Sequence, residues 1–261
     1  MARHRRNPAI SQIFRRMRRL TRGYDNDDCN PLHNGEHFVL RVAADYFTGK
    51  PVFFDVGANV GEWTELALDT CGDAIIHAFE LVPDTFATLK DRVAENPRVH
   101  LNEFGLADHV GVVPVKSILG YSSRSTMVLD YEVDVGTAAE VECDVRTGDS
   151  YLQENGLSRV DVLKIDTEGA EPLVLRGFSQ ALAEKRIGLI QLEYGRVNVL
   201  TRFLLADIYE MLEPLGFDIG KLYPNYVDFS PYSPMLENFL GPNYIVVHQQ
   251  HSGLRSRLAG A

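Results

Sequence analysis

Short apolar runs alternate with helical patterns along most of this chain, and that alternation limits the possible folds more than any other feature. The strand-like runs lie at 52–55, 75–79, 99–103, 160–165 and 187–193. The helical patterns lie near 35–47, 62–70, 84–95, 148–154, 172–178 and 201–215. The runs are almost continuously apolar, as is typical of strands that helices cover on both faces. The pattern therefore predicts an α/β fold with a mostly parallel sheet.

The last part of the chain breaks this alternation. Strand-like runs at 217–219 and 244–248 have no helical pattern between them, which predicts an antiparallel pair at one edge of the sheet. Two long stretches, 117–141 and 222–241, are expected to be irregular, and loops of this length usually serve a function. Aromatic residues with polar tips suit stacking on an acceptor molecule, although they also pack on one another. The candidates are Tyr194, Tyr223, Tyr226 and Tyr232.

Length and composition indicate one domain with two short extensions. The chain has 261 residues, of which 45% are hydrophobic and 24% charged, as is ordinary for a single α/β domain. We divide it into a basic helix and linker at 1–34, a main domain at 35–250 and a tail at 251–261. No apolar run is long enough to cross a membrane. Three scattered cysteines without metal-binding spacing predict a reduced, cytoplasmic protein.

Charge is distributed unevenly along the chain. The formal net charge is −10, but residues 1–22 contain eight arginines and no acid, which leaves 18 basic against 36 acidic residues elsewhere, a formal −18. An acidic body repels nucleic acid, so no nucleic-acid partner is expected. The first segment places apolar residues on one helical face: Ile10, Ile13, Phe14, Met17 and Leu20. We favour a helix that packs on the acidic domain, or a partly ordered tail. The alternative is docking on a partner subunit or a membrane surface.

The stretch DVGANVG at 55–61 joins the first predicted strand to the helix that follows it. Gly57 and Gly61 permit a tight turn and the close approach of a ligand. Glu80 ends the next strand, where an acid commonly accepts the hydroxyls of an adenosine ribose. Ligands of parallel sheets bind at the carboxyl ends of the strands, so these features predict an adenosine-containing cofactor. The alternative is that the glycines only form a turn and that Glu80 only precedes a helix.

Charge favours one adenosine cofactor over another. A dinucleotide fingerprint that starts at Gly57 would need glycine at 59 and 62, where the chain has Asn59 and Glu62. A carboxylate at the helix start repels the pyrophosphate of NAD. S-adenosylmethionine has no phosphate and carries a sulfonium and an ammonium, which Asp55 would attract. The sequence therefore favours S-adenosylmethionine, and an NAD-dependent oxidoreductase is the alternative.

Several segments together resemble one protein family. They are FFDVGANVGEWT, HAFELVPDTFATL, LNEFGLAD, VDVLKIDTEGAEPLVLRG, LIQLEY and the closing LENFLGPNYIVVH. Over roughly 35–248 the chain resembles the FkbM family of S-adenosylmethionine-dependent methyltransferases. The resemblance implies the Rossmann-like class I methyltransferase fold, with a seven-stranded, mostly parallel sheet, helices on both faces and an antiparallel last strand. It also implies methylation of a hydroxyl, often on a sugar or a natural-product scaffold.

The resemblance also implies which residues bind the cofactor. From the methionine end to the adenine they are Asp55, Gly57, Asn59, Gly61, Glu80, Leu81, Gly105 and Leu106. The first four would line the methionine end, Glu80 would hold the ribose with Leu81 beside it, and the last two would lie near the adenine.

Four acids lie at or just after the ends of the last two parallel strands: Asp166, Glu168, Glu171 and Glu193. Such strand ends face one crevice, so these carboxylates should lie near the reacting methyl group. A hydroxyl must lose its proton on methylation, and we expect Asp166 or Glu193, and next Glu168, to be the base. Glu171 is equally well explained as an acid in a first helical turn. A divalent metal on Asp166 and Glu193 is the alternative, not favoured because the acids form no known ligand loop.

The sequence therefore predicts an enzyme that transfers a methyl group from S-adenosylmethionine to a hydroxyl of a small molecule. The alternative from another class is a non-catalytic cofactor-binding module, against which the retained acids argue. The identity of the acceptor and the oligomeric state are left open by the sequence.

Overall fold

The computed structural model describes residues 8–28, 30–93, 95–118, 138–241 and 243–260. The helices are α1 (Pro8–Tyr24), α2 (Glu36–Tyr46), α3 (Glu62–Thr70), α4 (Pro83–Val93), α5 (Gly148–Glu154), α6 (Glu171–Gly177), α7 (Ser179–Ala183), α8 (Asn198–Thr201), α9 (Leu205–Leu212) and α10 (Ser252–Leu258). The strands are β1 (Val52–Val56), β2 (Ile75–Phe79), β3 (Val99–Asn102), β4 (Gly105–Leu106), β5 (Gly111–Ile118), β6 (Ala138–Arg146), β7 (Val160–Ile165), β8 (Ile187–Glu193), β9 (Phe217–Tyr223), β10 (Tyr226–Asp228) and β11 (Asn243–His248).

Eight of these strands form the central sheet, in the order β10-β9-β11-β8-β7-β1-β2-β3. The strands from β8 to β3 in that order pair in parallel, whereas β11 is antiparallel to both β8 and β9. The predicted α/β fold with a mostly parallel sheet and an antiparallel last strand is therefore confirmed. Among the described residues, the central sheet has one strand more than the expected seven, the three-residue β10, which pairs with β9 at the edge.

Both faces of the central sheet are buried, which explains why its strands are apolar throughout. Neighbouring residues of a strand point to opposite faces, and in β1 both Phe53 and Phe54 are fully buried. Phe53 shares its core cluster with Val39 of α2 and Leu254 of α10, a helix in the segment that we treated as a tail. Phe54 belongs to the core of the other face, with Leu175 of α6. Each such burial stabilises the fold by about 2 kcal/mol and helps to hold the strand ends in register.

A second sheet of three strands, β4-β6-β5, was not predicted. We expected an irregular stretch at 117–141, but β5 reaches Ile118 and β6 begins at Ala138. Residues 119–137 of that stretch lie outside the described residues. From 140 to 145, β6 alternates acids with apolar residues that are buried or partly buried, which is the pattern of a strand with one exposed face. The acidic residues led us to expect a loop, although their alternation with apolar residues indicates a strand.

The region after β8 also differs from the prediction. The helix expected at 201–215 is interrupted at Arg202, whose φ of 56° ends α8, and α9 begins at Leu205. A residue in the left-handed region cannot continue a right-handed helix. The stretch at 222–241 is more regular than expected, because it contains the end of β9, all of β10 and a short 3-10 helix at Pro234–Leu236.

The predicted linker is fixed to the domain by its own side chains. Asn26 is buried, with a φ of 58°, and its Nδ2 donates hydrogen bonds to the carbonyl oxygens of Asn34 (2.7 Å) and Leu222 (2.9 Å). Asp25 Oδ1 lies 3.7 Å from Lys221 Nζ. These contacts tie the linker to β9.

α1 forms in the segment whose pattern predicted a basic amphipathic helix. The described residues leave much of its apolar face uncovered, since Ile13, Phe14 and Met17 are 56%, 59% and 54% exposed. The expectation that this face packs on the domain is therefore wrong for these three side chains. Docking on a partner subunit or a membrane surface stays a prediction. Within the described ranges, every helix is too short or too polar to cross a bilayer.

Two truncations should separate α1 from the linker. A variant that begins at Tyr24 should lose no more than about 0.5 kcal/mol of unfolding free energy, because it keeps the linker contacts. A variant that begins at Gly35 should lose about 2 kcal/mol or more, since it leaves the buried Leu222 carbonyl without its partner. Urea unfolding followed by circular dichroism measures both. Equal stability of the two variants would contradict the structural role of Asn26.

Candidate active site

The turn after β1 depends on residues that tolerate the left-handed region. Gly57 and Gly61 have φ angles of 80° and 88°, and Asn59 has one of 50°. Gly57 also has no room for a side chain, because a Cβ there would lie 1.9 Å from the carbonyl oxygen of Asp166. Its N–H donates a hydrogen bond to the carbonyl oxygen of Phe79 (3.0 Å). The turn therefore brings the carboxyl ends of β1, β2 and β7 together.

A cavity of about 110 Å³ lies beside this turn. Besides the turn itself, its walls include Pro31, Glu36, Glu62, Trp63, Lys164 and Asp166. Three carboxylates and one ammonium border it, a balance that favours a cationic ligand. Sites that enclose whole small molecules usually measure about 300–1,000 Å³. The cavity is therefore suited to one end of a larger ligand.

An ammonium group is buried in the wall of this cavity. Lys164 Nζ lies 3.2 Å from Asp55 Oδ1 and 3.3 Å from Asp166 Oδ2. Asp55 is fully buried and also accepts a hydrogen bond from Thr64 Oγ1 (2.7 Å). Burial alone would lower the pKa of Lys164, but the carboxylates of Asp55, Asp166 and Glu36 raise it well above its usual value. Asp55, which we expected at the methionine end of the cofactor, thus has protein partners on both oxygens.

Two acids meet where β7 and β8 end. Ile165 pairs with Leu192, so Asp166 and Glu193 follow side by side, and one carboxylate oxygen of each lies within 4.8 Å of the other. Burial disfavours the charged form of Asp166, but Lys164 outweighs it and holds the pKa of Asp166 below its usual value. Burial, and then the charge of Asp166, raise the pKa of Glu193 well above its usual value. The first proton that this pair takes up therefore resides on Glu193.

Glu168 and Glu171 belong to the turn between β7 and α6. Glu168 has a φ of 51°. One carboxylate oxygen from each of Asp166, Glu168 and Glu193 lies within 4.8 Å of the other two, close enough to share a metal ion. Glu171 is almost fully buried, and its Oε1 accepts the N–H groups of two residues of the turn, each at 3.0 Å. Glu171 therefore stabilises the turn itself, as its alternative interpretation proposed.

Glu80 lies next to the glycine turn, just after β2. Its carboxylate accepts the N–H groups of Asn59 (3.0 Å) and Val82 (2.9 Å), one on each oxygen. A carboxylate oxygen can accept a second hydrogen bond, so these contacts leave capacity for ribose hydroxyls. Burial raises the pKa of Glu80. The assignment of Glu80 to the ribose stays a prediction, and its contact with Val82 fits the alternative of an acid before a helix.

The residues expected near the adenine lie close to Glu80. A Cβ on Gly105 would be 3.0 Å from the Leu81 side chain, so these two residues are in contact. Leu106 is almost fully buried and belongs to the core beneath β4. The structure thus brings Leu81 and Gly105 together, while the side chain of Leu106 packs inward.

The four candidate tyrosines fall into two groups. The rings of Tyr223 and Tyr226 stack 4.9 Å apart at the turn between β9 and β10. Tyr194 directly follows Glu193, is fully buried and stacks on Phe239. Tyr232 is only partly buried and lies against the same core as Tyr194. A fully buried ring has no face open to a ligand, so Tyr194 packs within the protein in this conformation.

Glu237 anchors the insert between β10 and β11. Its carboxylate accepts hydrogen bonds from the hydroxyl groups of Tyr194 and Tyr232. It also accepts the N–H groups of Leu205 (3.2 Å) and Ala206 (2.9 Å), at the start of α9. Such N–H groups have no partner within their own helix. One side chain therefore fastens the insert both to the end of β8 and to α9.

The sequence analysis missed Lys164, Glu36 and Glu237. A signal existed for Lys164, because a lysine within an apolar, buried strand requires a carboxylate partner. Glu36 carried no local signal, since its partners Gln191 and Asn243 are 155 and 207 residues away along the chain. Glu237 lies in a stretch that we expected to be irregular, where an acid is unremarkable.

Comparison with known proteins identifies a family whose model matches this chain. The family described as the Methyltransferase FkbM domain matches residues 55–219. The methyltransferase sdnD of Sordaria araneosa is 28% identical over 199 residues, which cover 66% of this chain and 75% of that protein. The hexuronic acid methyltransferase AglP of Haloferax volcanii is 25% identical over 162 residues, covering 62% and 64%. The 31-O-demethyl-FK506 methyltransferase FkbM of Streptomyces tacrolimicus is 28% identical over 158 residues, covering 50% and 60%. The chain thus spans less than two thirds of the last two relatives.

Removing the buried ammonium should destabilise the fold. Lys164→Met should lower the unfolding free energy at pH 7 by about 3 kcal/mol or more, because Asp55 stays buried without its counter-charge. The loss should shrink at acid pH, because the wild type then also loses the stabilisation that Lys164 gives to the ionised Asp166, whose pKa it lowers. Urea unfolding across pH measures both effects, with the exposed Lys90→Met as the matched control. Equal stability of the two variants would show that the ion pairs contribute little.

Proposed function

The chain belongs to the methyltransferase FkbM family and is an S-adenosylmethionine-dependent methyltransferase, and we propose that it methylates a hydroxyl oxygen of a small molecule, such as a sugar or a natural-product scaffold. The observation that carries this proposal is the close pair of carboxyl groups, Asp166 and Glu193, at the carboxyl ends of two adjacent strands. Two relatives support the acceptor class by name, one as a hexuronic acid methyltransferase and one as a 31-O-demethyl-FK506 methyltransferase.

The cavity beside the glycine turn suits the amino-acid end of the cofactor. Asn59 Oδ1 and Trp63 Nε1 are buried in its wall and have no hydrogen-bond partner among the described residues. Buried polar atoms usually have partners, and a polar ligand would supply them. The excess of carboxylates suits a sulfonium and an ammonium, while Glu62 in the same wall would repel a pyrophosphate, which argues against NAD. When bound, S-adenosylmethionine supplies an activated methyl group.

Several residues of this chain would hold the cofactor in that cavity. Gly57 and Gly61 keep the turn close to the ligand, and Asn59 offers its unpaired Oδ1. Glu80 fixes the same turn through the N–H of Asn59 and has acceptor capacity left for the ribose. Orientation matters most for a reagent that is already activated, because an in-line transfer depends on alignment.

We assign the base to the Asp166–Glu193 pair. Asp166 borders the cavity and stays ionised beside Lys164, so its affinity for a proton is low. Glu193 has the higher proton affinity and, once ionised, is the better acceptor for the proton of a hydroxyl. Lys164 and Asp166 therefore act by setting the proton affinity of Glu193, and Glu168 borders the pair as a weaker candidate.

A second cavity, next to the turn that carries Glu168, is our candidate site for the acceptor. A cavity of about 730 Å³ lies between α6 and α8–α9, and its wall includes Gly169 and Ala170, just after Glu168. Its volume falls within the range of about 300–1,000 Å³ that is usual for small-molecule sites. Leu173 and Phe203 give it an apolar surface, which suits the faces of a sugar or a larger scaffold.

A metal-assisted reaction is the second candidate mechanism. The three carboxylate oxygens of Asp166, Glu168 and Glu193 are the kind of ligand that a hard divalent cation prefers. Asp166, however, already pairs with the ammonium of Lys164 at 3.3 Å, and that charge would repel a divalent cation nearby. We therefore favour the base over the metal.

Removing the charge of the base should slow turnover and leave cofactor binding intact. Glu193→Gln should lower the rate by roughly 10²–10⁴ and Asp166→Asn should lower it by a smaller factor, with the affinity for S-adenosylhomocysteine largely unchanged. Glu193 must lose its proton to act, so wild-type activity should fall as the pH drops through its raised pKa. The residual activity of Glu193→Gln should lack that dependence. Product mass from a screen of hydroxylated acceptors gives the rate, and calorimetry gives the affinity.

The controls for this test separate base, metal and fold. The exposed Glu103→Gln should retain full turnover. Near-full turnover in both Glu193→Gln and Asp166→Asn would mean that neither is the base. Loss of wild-type activity with a chelator, restored by magnesium, would assign these acids to a metal instead.

Glu80 should contribute to cofactor affinity. Glu80→Ala should weaken the binding of S-adenosylhomocysteine by at least about 1.5 kcal/mol, the scale of a hydrogen bond to a charged group. Calorimetry measures the affinity, and thermal unfolding of the ligand-free variant controls for the lost contact with Asn59. Unchanged affinity, or wild-type binding of NADH as tight as that of S-adenosylhomocysteine, would contradict the assignment.

A further inference from the structure

Glu36 places a carboxylate in the cofactor cavity from outside the matched family region. It is the first residue of α2, its relative exposure is 8%, and it borders the cavity together with Asn59, Lys164 and Asp166. The family match begins only at residue 55. No role for this residue follows from that match.

Three side-chain amides from separate parts of the chain hold this carboxylate in place. Asn34 Nδ2 donates to Oε1 at 2.6 Å, and Asn243 Nδ2 donates to the same oxygen at 3.2 Å. Gln191 Nε2, on β8, donates to Oε2 at 2.8 Å. The start of α2 does not need this carboxylate, because Asn34 Oδ1 already accepts the N–H of Glu36 (3.0 Å). All three donors are neutral amides. They fix the position of the carboxylate but do not neutralise its charge.

The neighbouring charges make Glu36 the carboxylate best placed for a cation. Asp55 is fully buried and has Lys164 and Thr64 on its two oxygens. Lys164 also pairs with Asp166. No ammonium or guanidinium group of the described chain lies within 4.0 Å of the Glu36 carboxylate. Burial raises the pKa of Glu36, and the ammonium of Lys164, which makes no direct ion pair with it, opposes this only in part.

We infer that Glu36 binds the α-ammonium group of the cofactor's amino-acid end. This inference rests on the proposed binding of S-adenosylmethionine in the same cavity. An ammonium has three donors and a full charge, which an almost fully buried carboxylate with fixed geometry binds well. Asn34 and Pro31 come from the segment before α2, so this part of the linker would form one wall of the amino-acid subsite. Glu36 then selects for a cationic ligand where Asp55 cannot.

The test compares ligands with and without the ammonium. Calorimetry on the full-length protein measures the affinity for S-adenosylhomocysteine and for its deaminated analogue, in wild type, Glu36→Gln and the exposed control Glu65→Gln. In wild type and Glu65→Gln, loss of the ammonium should weaken binding by about tenfold or more, the scale of a charge-assisted hydrogen bond. In Glu36→Gln, S-adenosylhomocysteine should bind about tenfold more weakly, whereas the deaminated analogue should bind as it does to wild type.

Each remaining outcome decides the matter. Equal affinity of wild type for both ligands would overturn the inference without any variant. Equal weakening of both ligands in Glu36→Gln would overturn it too, since Glu36 would then only shape the cavity. If Glu36→Gln unfolds, Glu36→Asp replaces it, because aspartate keeps the charge but is shorter. Glu36→Asp should weaken the binding of S-adenosylhomocysteine more than the binding of the analogue. Equal weakening of both would overturn the inference. Failure of wild type to bind either ligand would instead refute the proposed cofactor.

Discussion

A lysine buried between two carboxylates is the interaction on which the rest of the site depends. Lys164 joins Asp55, on β1, to Asp166, at the end of β7. Lys164 and Asp55 are almost fully buried, and each charge would be strongly unfavourable there without the other, whereas Asp166 is partly exposed. These ion pairs therefore hold the carboxyl ends of β1 and β7 together. In this arrangement Gly57 lies directly against the carbonyl oxygen of Asp166. The geometry of the cofactor turn follows from these contacts.

The same lysine gives the Asp166–Glu193 pair its chemical asymmetry. Two equivalent carboxyl groups in contact would share a proton without preference, but Lys164 stabilises the charge on Asp166 alone. Glu193 lies partly buried beside a negative charge and holds the proton more tightly. One structural cation thus separates the proton affinities of two acids that the sequence alone ranks as equals.

Local signals allowed much of the fold and the turn to be predicted. The runs at 160–165 and 187–193 coincide with β7 and β8 because strands buried on both faces must be apolar throughout. β6 was missed because its exposed face carries acids, which resemble a loop unless the alternation is counted. Glu36 could not be placed, because its contact with Gln191 spans 155 residues and no pattern in a single sequence encodes such a pairing.

The anchoring of the last insert by Glu237 divides the domain into parts that can change independently. β11 pairs with β8 and β9 through backbone hydrogen bonds, whereas the insert before it is held by side chains, with Glu237 bonded to Tyr194 and α9 and Phe239 stacked on Tyr194. Exposed residues between β10 and Glu237, such as Pro231 and Met235, can therefore change without loss of strand pairing. The insert is thus a segment in which the domain can vary while the cofactor turn is kept.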